Sequence, residues 1–330
     1  MVTTHPKVVS TFSFSPESQE VLREAANAEV LCITRTNEFK EFLIHLQEAE
    51  VLCAYSLPDN VRELAPNLHW LQYPGAGVDS LQPTGLLAAD SGIIVTTASG
   101  IHATNISEYV LGSMLVFNRS WPEMVRLQDR HVWPRNANWY NLRARELAGQ
   151  TLGIVGLGSI GRRIAQLGRA FGMTVLGMRR SATPGEQDPD VDQLYTLEQL
   201  QELLSRSDYV VLATPLTPAT EKMIGEPELR AMRPNAYLVN IARGRIIDEA
   251  VLIRALKEGW IAGAGLDVTE KEPLPADSPL YSMANVILTP HISGASDNYD
   301  KRLTALFAEN LRRYCAGQPL LNHYDPQRGY

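Results

Sequence analysis

The amino-acid sequence predicts an α/β protein with two doubly wound parallel-sheet domains. Three observations carry that prediction. The first hundred residues alternate short apolar runs with helix-like stretches, the same alternation restarts at Thr151, and the turn Gly156-Leu157-Gly158-Ser159-Ile160-Gly161 opens the second block. A chain of 330 residues, 45% hydrophobic and 20% charged, is long enough and apolar enough for two cores.

In chain order, the apolar run Lys7 to Phe12 reads as a strand and Pro16 to Asn27 as a helix. Val30 to Thr34 is a strand, Glu38 to Ala49 a helix, and Val51 to Tyr55 a strand, followed by strands at His69 to Tyr73 and Ile93 to Thr97. Between the blocks, Ile101 to Asn118 reads as a helix that is apolar almost all round, with Asn105 and Glu108 at N-cap and N3 spacing. Such a helix fits burial between domains or at a subunit interface. In the second block, Leu152 to Val155 is a strand, a helix runs through Ile164, Leu167, Gly168 and Phe171, and Met173 to Met178 is the next strand. Further strands fall near Tyr209 to Ala213, Tyr237 to Ile241, Ala262 to Val268 and Val286 to Thr289. The final helix, Lys301 to Ala316, aligns Leu303, Leu306, Phe307, Leu311 and Tyr314 on one stripe that needs a packing partner.

The glycine spacing has a physical purpose. Gly156 permits the tight turn out of the strand, Gly158 lets a pyrophosphate approach the backbone, and Gly161 lets the helix pack close to the strand. The helix N-terminus then offers Ser159 and Ile160 amides to the phosphates. At the end of the following strand a carboxylate would bind ribose hydroxyls and repel a 2′-phosphate; here Arg179, Arg180 and Ser181 stand instead. Arginine forks suit a phosphate, which predicts NADPH over NADH. A solvated basic turn is the plain alternative.

Charge and composition exclude other classes. The formal net charge of −7 argues against a general nucleic-acid binder. No apolar stretch approaches a membrane span, and Met1 to Ser10 lacks a secretory signal. Cys32, Cys53 and Cys315 are widely spaced in apolar patterns, so buried free thiols in a reducing cytoplasm are expected, with no metal site.

Three later segments end strands in polar groups: Arg243 after Val239 to Ala242, Glu270 and Glu272 after Gly265 to Val268, and His291 after Leu288 to Pro290. Ligands gather at the carboxyl ends of strands in open α/β sheets. Singly, Arg243 also fits a surface ion pair, Glu272 a solvated loop, and His291 a cap or core position. Together they supply a cation, a carboxylate and a proton carrier, which is what a 2-oxo acid reductase needs.

At this point the chain resembles the D-2-hydroxyacid dehydrogenase family over nearly its whole length. The carriers are GLGSIG at 156–161, PLTPAT at 215–220, NIARGRIIDEA at 240–250, GLDVTEKEPLP at 265–275 and TPHISG at 289–294. The resemblance implies that Arg243 holds the substrate carboxylate and polarises its carbonyl, His291 is the general acid, and Glu272 orients His291. It implies cofactor contacts at Thr104, Thr214, Pro215, Thr220, Ile241, Ala242, Asp267, His291 and Gly294, with Asp267 at the nicotinamide carboxamide. The loop Pro74 to Asp79 would receive the substrate carboxylate on the Gly77 and Val78 amides beside Ala76, with a structural turn as the alternative. Tyr299 would reach the substrate or serve in packing.

The implied fold joins a flavodoxin-like substrate domain, residues 1–99 plus 293–330, to a Rossmann cofactor domain, residues 100–292, with the active site in the cleft. Trp121, Trp133 and Trp139 fall where the family forms its homodimer; packing within the subunit is the alternative for each. Thr214 departs from the histidine many members carry, and Ser293 precedes Gly294 where the family often has glycine. Competing functions are a dehydrogenase of another small anion, formate or phosphite, and a dinucleotide-sensing scaffold like the superfamily's transcriptional corepressors.

Overall fold

The structure is a computed structural model that describes residues 5–33, 39–134 and 145–329. The chain divides into two units, Met1–His102 with Ser296–Tyr330 and Ala103–Ala295.

Unit 1 begins with β1 (Val8–Ser10), α1 (Pro16–Ala26), β2 (Val30–Cys32), α2 (Phe39–Leu46), β3 (Val51–Cys53), α3 (Val61–Leu64), β4 (Trp70–Tyr73) and β5 (Ile94–Thr97). The strands form one parallel sheet in the order β2-β1-β3-β4-β5. Most of their residues are buried, as expected of a parallel sheet covered on both faces. Local chemistry sets the limits of α1: the Ser15 hydroxyl accepts from the Ser18 amide at 3.2 Å, Pro16 takes the first helical position, and Asn27 closes the helix in the left-handed region.

Unit 2 contains α4 (Ala103–Asn118), α5 (Trp121–Asp129), β6 (Thr151–Val155), α6 (Ser159–Ala170), β7 (Thr174–Met178), β8 (Gln193–Tyr195), α7 (Leu200–Arg206), β9 (Tyr209–Leu212), α8 (Glu226–Ala231), β10 (Tyr237–Asn240), α9 (Glu249–Glu258), β11 (Gly263–Leu266) and β12 (Val286–Leu288). Its parallel sheet runs β8-β7-β6-β9-β10-β11-β12. The winding reverses between β6 and β9, and that switch point opens the crevice into which the glycine turn projects.

One expectation is corrected here. Helix α4 starts at Ala103, so Asn105 is its third residue and not its cap. The helix buries its apolar side within unit 2: Val110, Met114 and Phe117 join the core of the β6 to β10 sheet face, and Phe117 stacks on Tyr237 with ring centroids 4.0 Å apart. Much of its apolarity therefore serves that sheet, and Leu115 on the same helix is 37% exposed.

The last helix, α10 (Tyr299–Cys315), returns to unit 1. Its stripe of Leu303, Phe307 and Leu311 is fully buried with Trp70, whose indole meets Phe307 edge-on at 5.4 Å. Each such side chain contributes about 1.5–3 kcal/mol on burial. All three cysteines are free thiols, but only Cys53 is fully buried; Cys32 and Cys315 are half-buried. Among the described residues, no helix is long and apolar enough to cross a membrane.

Candidate active site

The glycine turn lies where β6 gives way to α6. Gly156 has φ +109°, and a Cβ there would sit 2.7 Å from the Ala213 carbonyl; a Cβ at Gly161 would sit 2.0 Å from the Gly156 oxygen. By contrast, a Cβ at Gly158 would meet nothing within 4 Å. Gly158 caps α6 with no side-chain hydrogen bond, so the first amides of a twelve-residue helix, Ser159 and Ile160 among them, carry no side-chain cap. Packing thus demands glycine at two of the three positions, while the third leaves open space in front of an uncapped helix, as a dinucleotide pyrophosphate requires.

At the end of β7, Arg179 donates to the Ser181 hydroxyl at 2.6 Å and pairs with the carboxylate of Glu186. Its Nε is buried without a hydrogen-bond partner. Arg180 and Ser181 are exposed beside it. A cationic fork with an orphaned donor, one strand from the glycine turn, fits a nucleotide carrying a phosphate on its ribose.

Arg243, Glu272 and His291 follow the carboxyl ends of β10, β11 and β12, three neighbouring strands of the same sheet. Arg243 is positioned by Asn240, fully buried at the end of β10, whose amide donates to the Arg243 carbonyl at 2.9 Å and whose oxygen accepts from the Ala242 amide at 3.1 Å. The Arg243 guanidinium donates to the Ala242 carbonyl at 2.7 Å. Next to it, Gly244 lies so near the following loop that a Cβ would fall 1.9 Å from the Thr269 carbonyl carbon. That approach holds the arginine loop against the one that carries Glu272.

Glu272 uses both oxygens: one accepts from the Thr269 amide at 3.1 Å, and the other lies 2.8 Å from His291 Nδ1. The imidazole is half-exposed, as is the carboxylate. His291 occupies the left-handed region with φ +55°, an arrangement that costs about 1 kcal/mol or more unless its surroundings enforce it. Asp267 enforces it. This carboxylate is buried, and it accepts from the Thr289 hydroxyl at 2.6 Å and from the Ile292 and Ser293 amides at 2.9 and 3.0 Å, while its carbonyl takes the His291 amide at 2.8 Å.

Other residues singled out from the sequence lie around this edge of unit 2. Thr104 is half-buried in the first turn of α4, and Asn105 beside it donates to the Ser293 and Ala295 carbonyls at 3.1 and 3.3 Å, tying the helix to the segment holding Gly294. The backbone amide of Thr214 lies beside Gly156, 2.8 Å from where a Cβ would be. Thr220 closes the next loop by donating to the Pro215 carbonyl at 2.7 Å and accepting from the Thr217 amide. Ile241 and Ala242 are buried at the end of β10.

Ala76, Gly77, Val78 and Tyr299 belong to unit 1. The loop follows β4, and Val78 leads into a short 3-10 turn, Asp79–Thr84. Tyr299, at the start of α10, donates to the Pro74 carbonyl at 2.6 Å, and its hydroxyl pairs with that of Tyr55. Burial and the neighbouring phenol push the Tyr299 hydroxyl far above its ordinary pKa. Tyr299 is thus joined to the loop that the sequence proposed for substrate.

Trp121 and Trp133 are 58% and 80% exposed, which excludes packing within the subunit for both; Trp139 lies outside the described residues. Sequence reasoning passed over Asn240, Gly244, Tyr55 and Glu186 as individual residues. A buried polar residue ending an apolar strand was a legible signal for Asn240; the others depend on contacts that spacing does not reveal.

A glycine turn at the switch point of a parallel sheet, with an arginine, a carboxylate and a histidine on later strands, defines a dinucleotide-dependent oxidoreductase. Residues 111–293 match the model of the D-isomer specific 2-hydroxyacid dehydrogenase NAD binding domain, and the chain belongs to the D-isomer specific 2-hydroxyacid dehydrogenase family. It is 34% identical over 319 residues to the glyoxylate reductase of Thermococcus gammatolerans, covering 95% of this chain and 94% of that protein. It is 33% identical to the D-3-phosphoglycerate dehydrogenase of Methanocaldococcus jannaschii, covering 94% of this chain but only 58% of that longer protein. Among solved structures, a D-isomer specific 2-hydroxyacid dehydrogenase from Xanthobacter autotrophicus bound to NADPH superposes with a TM-score of 0.81 at 30% identity, over 98% of this chain and 100% of the other. An NADPH-dependent glyoxylate/hydroxypyruvate reductase from Sinorhizobium meliloti gives 0.80 at 27% identity, over 98% and 99%.

Proposed function

We propose that this protein uses NADPH to reduce a 2-oxo acid to the D-2-hydroxy acid. The observation that carries this reading is the grouping of Arg243 and the Glu272–His291 pair at the ends of adjacent strands in the sheet that bears the glycine turn. The bound dinucleotide supplies the hydride that adds to the carbonyl carbon. His291 gives the proton that the carbonyl oxygen needs: with Nδ1 tied to Glu272, Nε2 is the nitrogen that delivers it, and Glu272 steadies the imidazolium before transfer. Arg243 binds the substrate carboxylate and offsets the negative charge growing on the oxygen. Gly77 and Val78 provide carboxylate contacts beside Ala76, and Tyr299 faces the substrate side chain. Thr104, Thr214, Pro215, Thr220, Ile241, Ala242, Asp267 and Gly294 line the cofactor site with the glycine turn.

The preference for NADPH is supported by Arg179, Arg180 and Ser181 at the end of β7, and by the NADPH bound in the Xanthobacter relative. Steady-state kinetics on a panel of 2-oxo acids, glyoxylate and hydroxypyruvate included, should give a higher kcat/KM with NADPH than with NADH and a D product by chiral chromatography. A higher value with NADH overturns the cofactor assignment, and no turnover on any acid favours the scaffold reading. We further propose a homodimer, supported by the exposed Trp121, Val125, Val132 and Trp133 on and after α5. Light scattering of the purified protein should give twice the chain mass.

A further inference from the structure

The NADPH reading leaves one matter open: the Arg179 fork that would take the 2′-phosphate is already paired within its own turn. We propose that Glu186 is a built-in stand-in for that phosphate, which an incoming 2′-phosphate displaces, so that Glu186 sets how strongly the protein prefers NADPH; this rests on the cofactor assignment above.

The Glu186 carboxylate is gripped as a bound anion would be. One oxygen meets the Arg179 guanidinium, and the other accepts from the Thr183 amide at 3.0 Å and the Thr183 hydroxyl at 3.2 Å. A guanidinium fork, a backbone amide and a hydroxyl are the donor set that holds a phosphate monoester. Ser181 contributes a second hydroxyl, already within 2.6 Å of Arg179. The grip holds the Glu186 carboxyl below its ordinary pKa, the Thr183 amide contributing most.

Nearby acids do not compete for the fork in the same way. Asp188 lies 3.8 Å from Arg179 Nε, but its two oxygens are taken by the Arg162 guanidinium at 2.9 and 2.8 Å, and Asp190 pairs with Arg162 as well. Arg162 thereby engages both acids and offsets one of their two negative charges, and Arg179 Nε stays a buried donor without a hydrogen-bond partner.

Placement favours exchange in one direction. Arg179 is anchored at the end of β7 with its side chain 23% exposed, whereas Glu186 sits on a short surface turn closed by its amide on the Thr183 carbonyl at 3.1 Å. Glu186, on that surface turn, has water beside it to receive its carboxylate, whereas Arg179 follows directly on a buried strand. The pair is partly shielded, its side chains 23% and 32% exposed, and a pair so near the surface is a weak one. The penalty it places on phosphate binding is correspondingly small, and it falls on the phosphorylated cofactor alone.

The test is calorimetric titration with two fragments, 2′,5′-ADP and 5′-AMP, on the wild-type protein, Glu186→Gln and Arg179→Ala, with matching thermal unfolding midpoints as the folding control. Glu186→Gln should bind 2′,5′-ADP about two- to six-fold tighter and 5′-AMP unchanged. In the Arg179→Ala/Glu186→Gln double variant that gain should vanish. Unchanged or weaker 2′,5′-ADP binding by Glu186→Gln, while Arg179→Ala still weakens it, overturns the stand-in and leaves the NADPH assignment standing. Weaker 5′-AMP binding by Glu186→Gln makes the residue a ribose contact and also overturns it. Indifference of 2′,5′-ADP to Arg179→Ala removes the cofactor assignment itself.

Discussion

Two charged corners of the unit 2 sheet differ in how they are held. After β12, His291 is fixed in a left-handed backbone by the buried Asp267 carboxylate and aimed by Glu272. After β7, Arg179 leans on Glu186, a half-exposed residue of its own turn. On the proposed function, the first corner has no partner to exchange before it acts, and the second must trade one anion for another. The contrast fits those proposed roles: a group that moves a proton needs fixed geometry, because misplacement is costly to rate, whereas a group that selects a ligand tolerates an intramolecular competitor.

Breaking the fixed corner should have the largest effect. Replacing His291 by Ala removes the proton donor, and kcat should fall by about 10²–10⁴-fold while dinucleotide affinity, read by calorimetry, changes little. Retained turnover would move the general acid elsewhere.

Asp267→Ala comes next. It strands the Thr289 hydroxyl and the Ile292 and Ser293 amides, each a donor to a charged acceptor. Urea unfolding should show a loss of about 3 kcal/mol or more, with kcat lowered as the His291 loop relaxes. Full stability in this variant would mean that the loop holds its shape without the carboxylate.

The smallest effect belongs to the exchangeable corner. Glu186→Gln should leave the urea unfolding midpoint nearly unchanged beside that of Asp267→Ala, and change only the affinity for the 2′-phosphorylated fragment. A stability loss matching that of Asp267→Ala would erase the distinction between the corners.

Much of this was legible in the residues. The glycine turn, the strand rhythm and the placement of Arg243, Glu272 and His291 after strands follow from local rules, because turns and parallel strands impose a fixed residue chemistry. The cap of α4 was misread because Asn105 has the right residue type in the right pattern; its side chain instead serves carbonyls at 293 and 295, nearly two hundred residues away in sequence.

By itself the sequence determined two parallel sheets, a nucleotide-binding turn and the residue types of a reductase, since those depend on backbone sterics and short-range pattern. Only the tertiary structure showed which donors reach each carboxylate. Asp267, Glu272 and Glu186 are all acids near strand ends, yet one clamps a loop, one aims an imidazole and one occupies an arginine fork. The physical reason is that a carboxylate's role is set by the donors that reach it, and these are brought together across the sheet by folding.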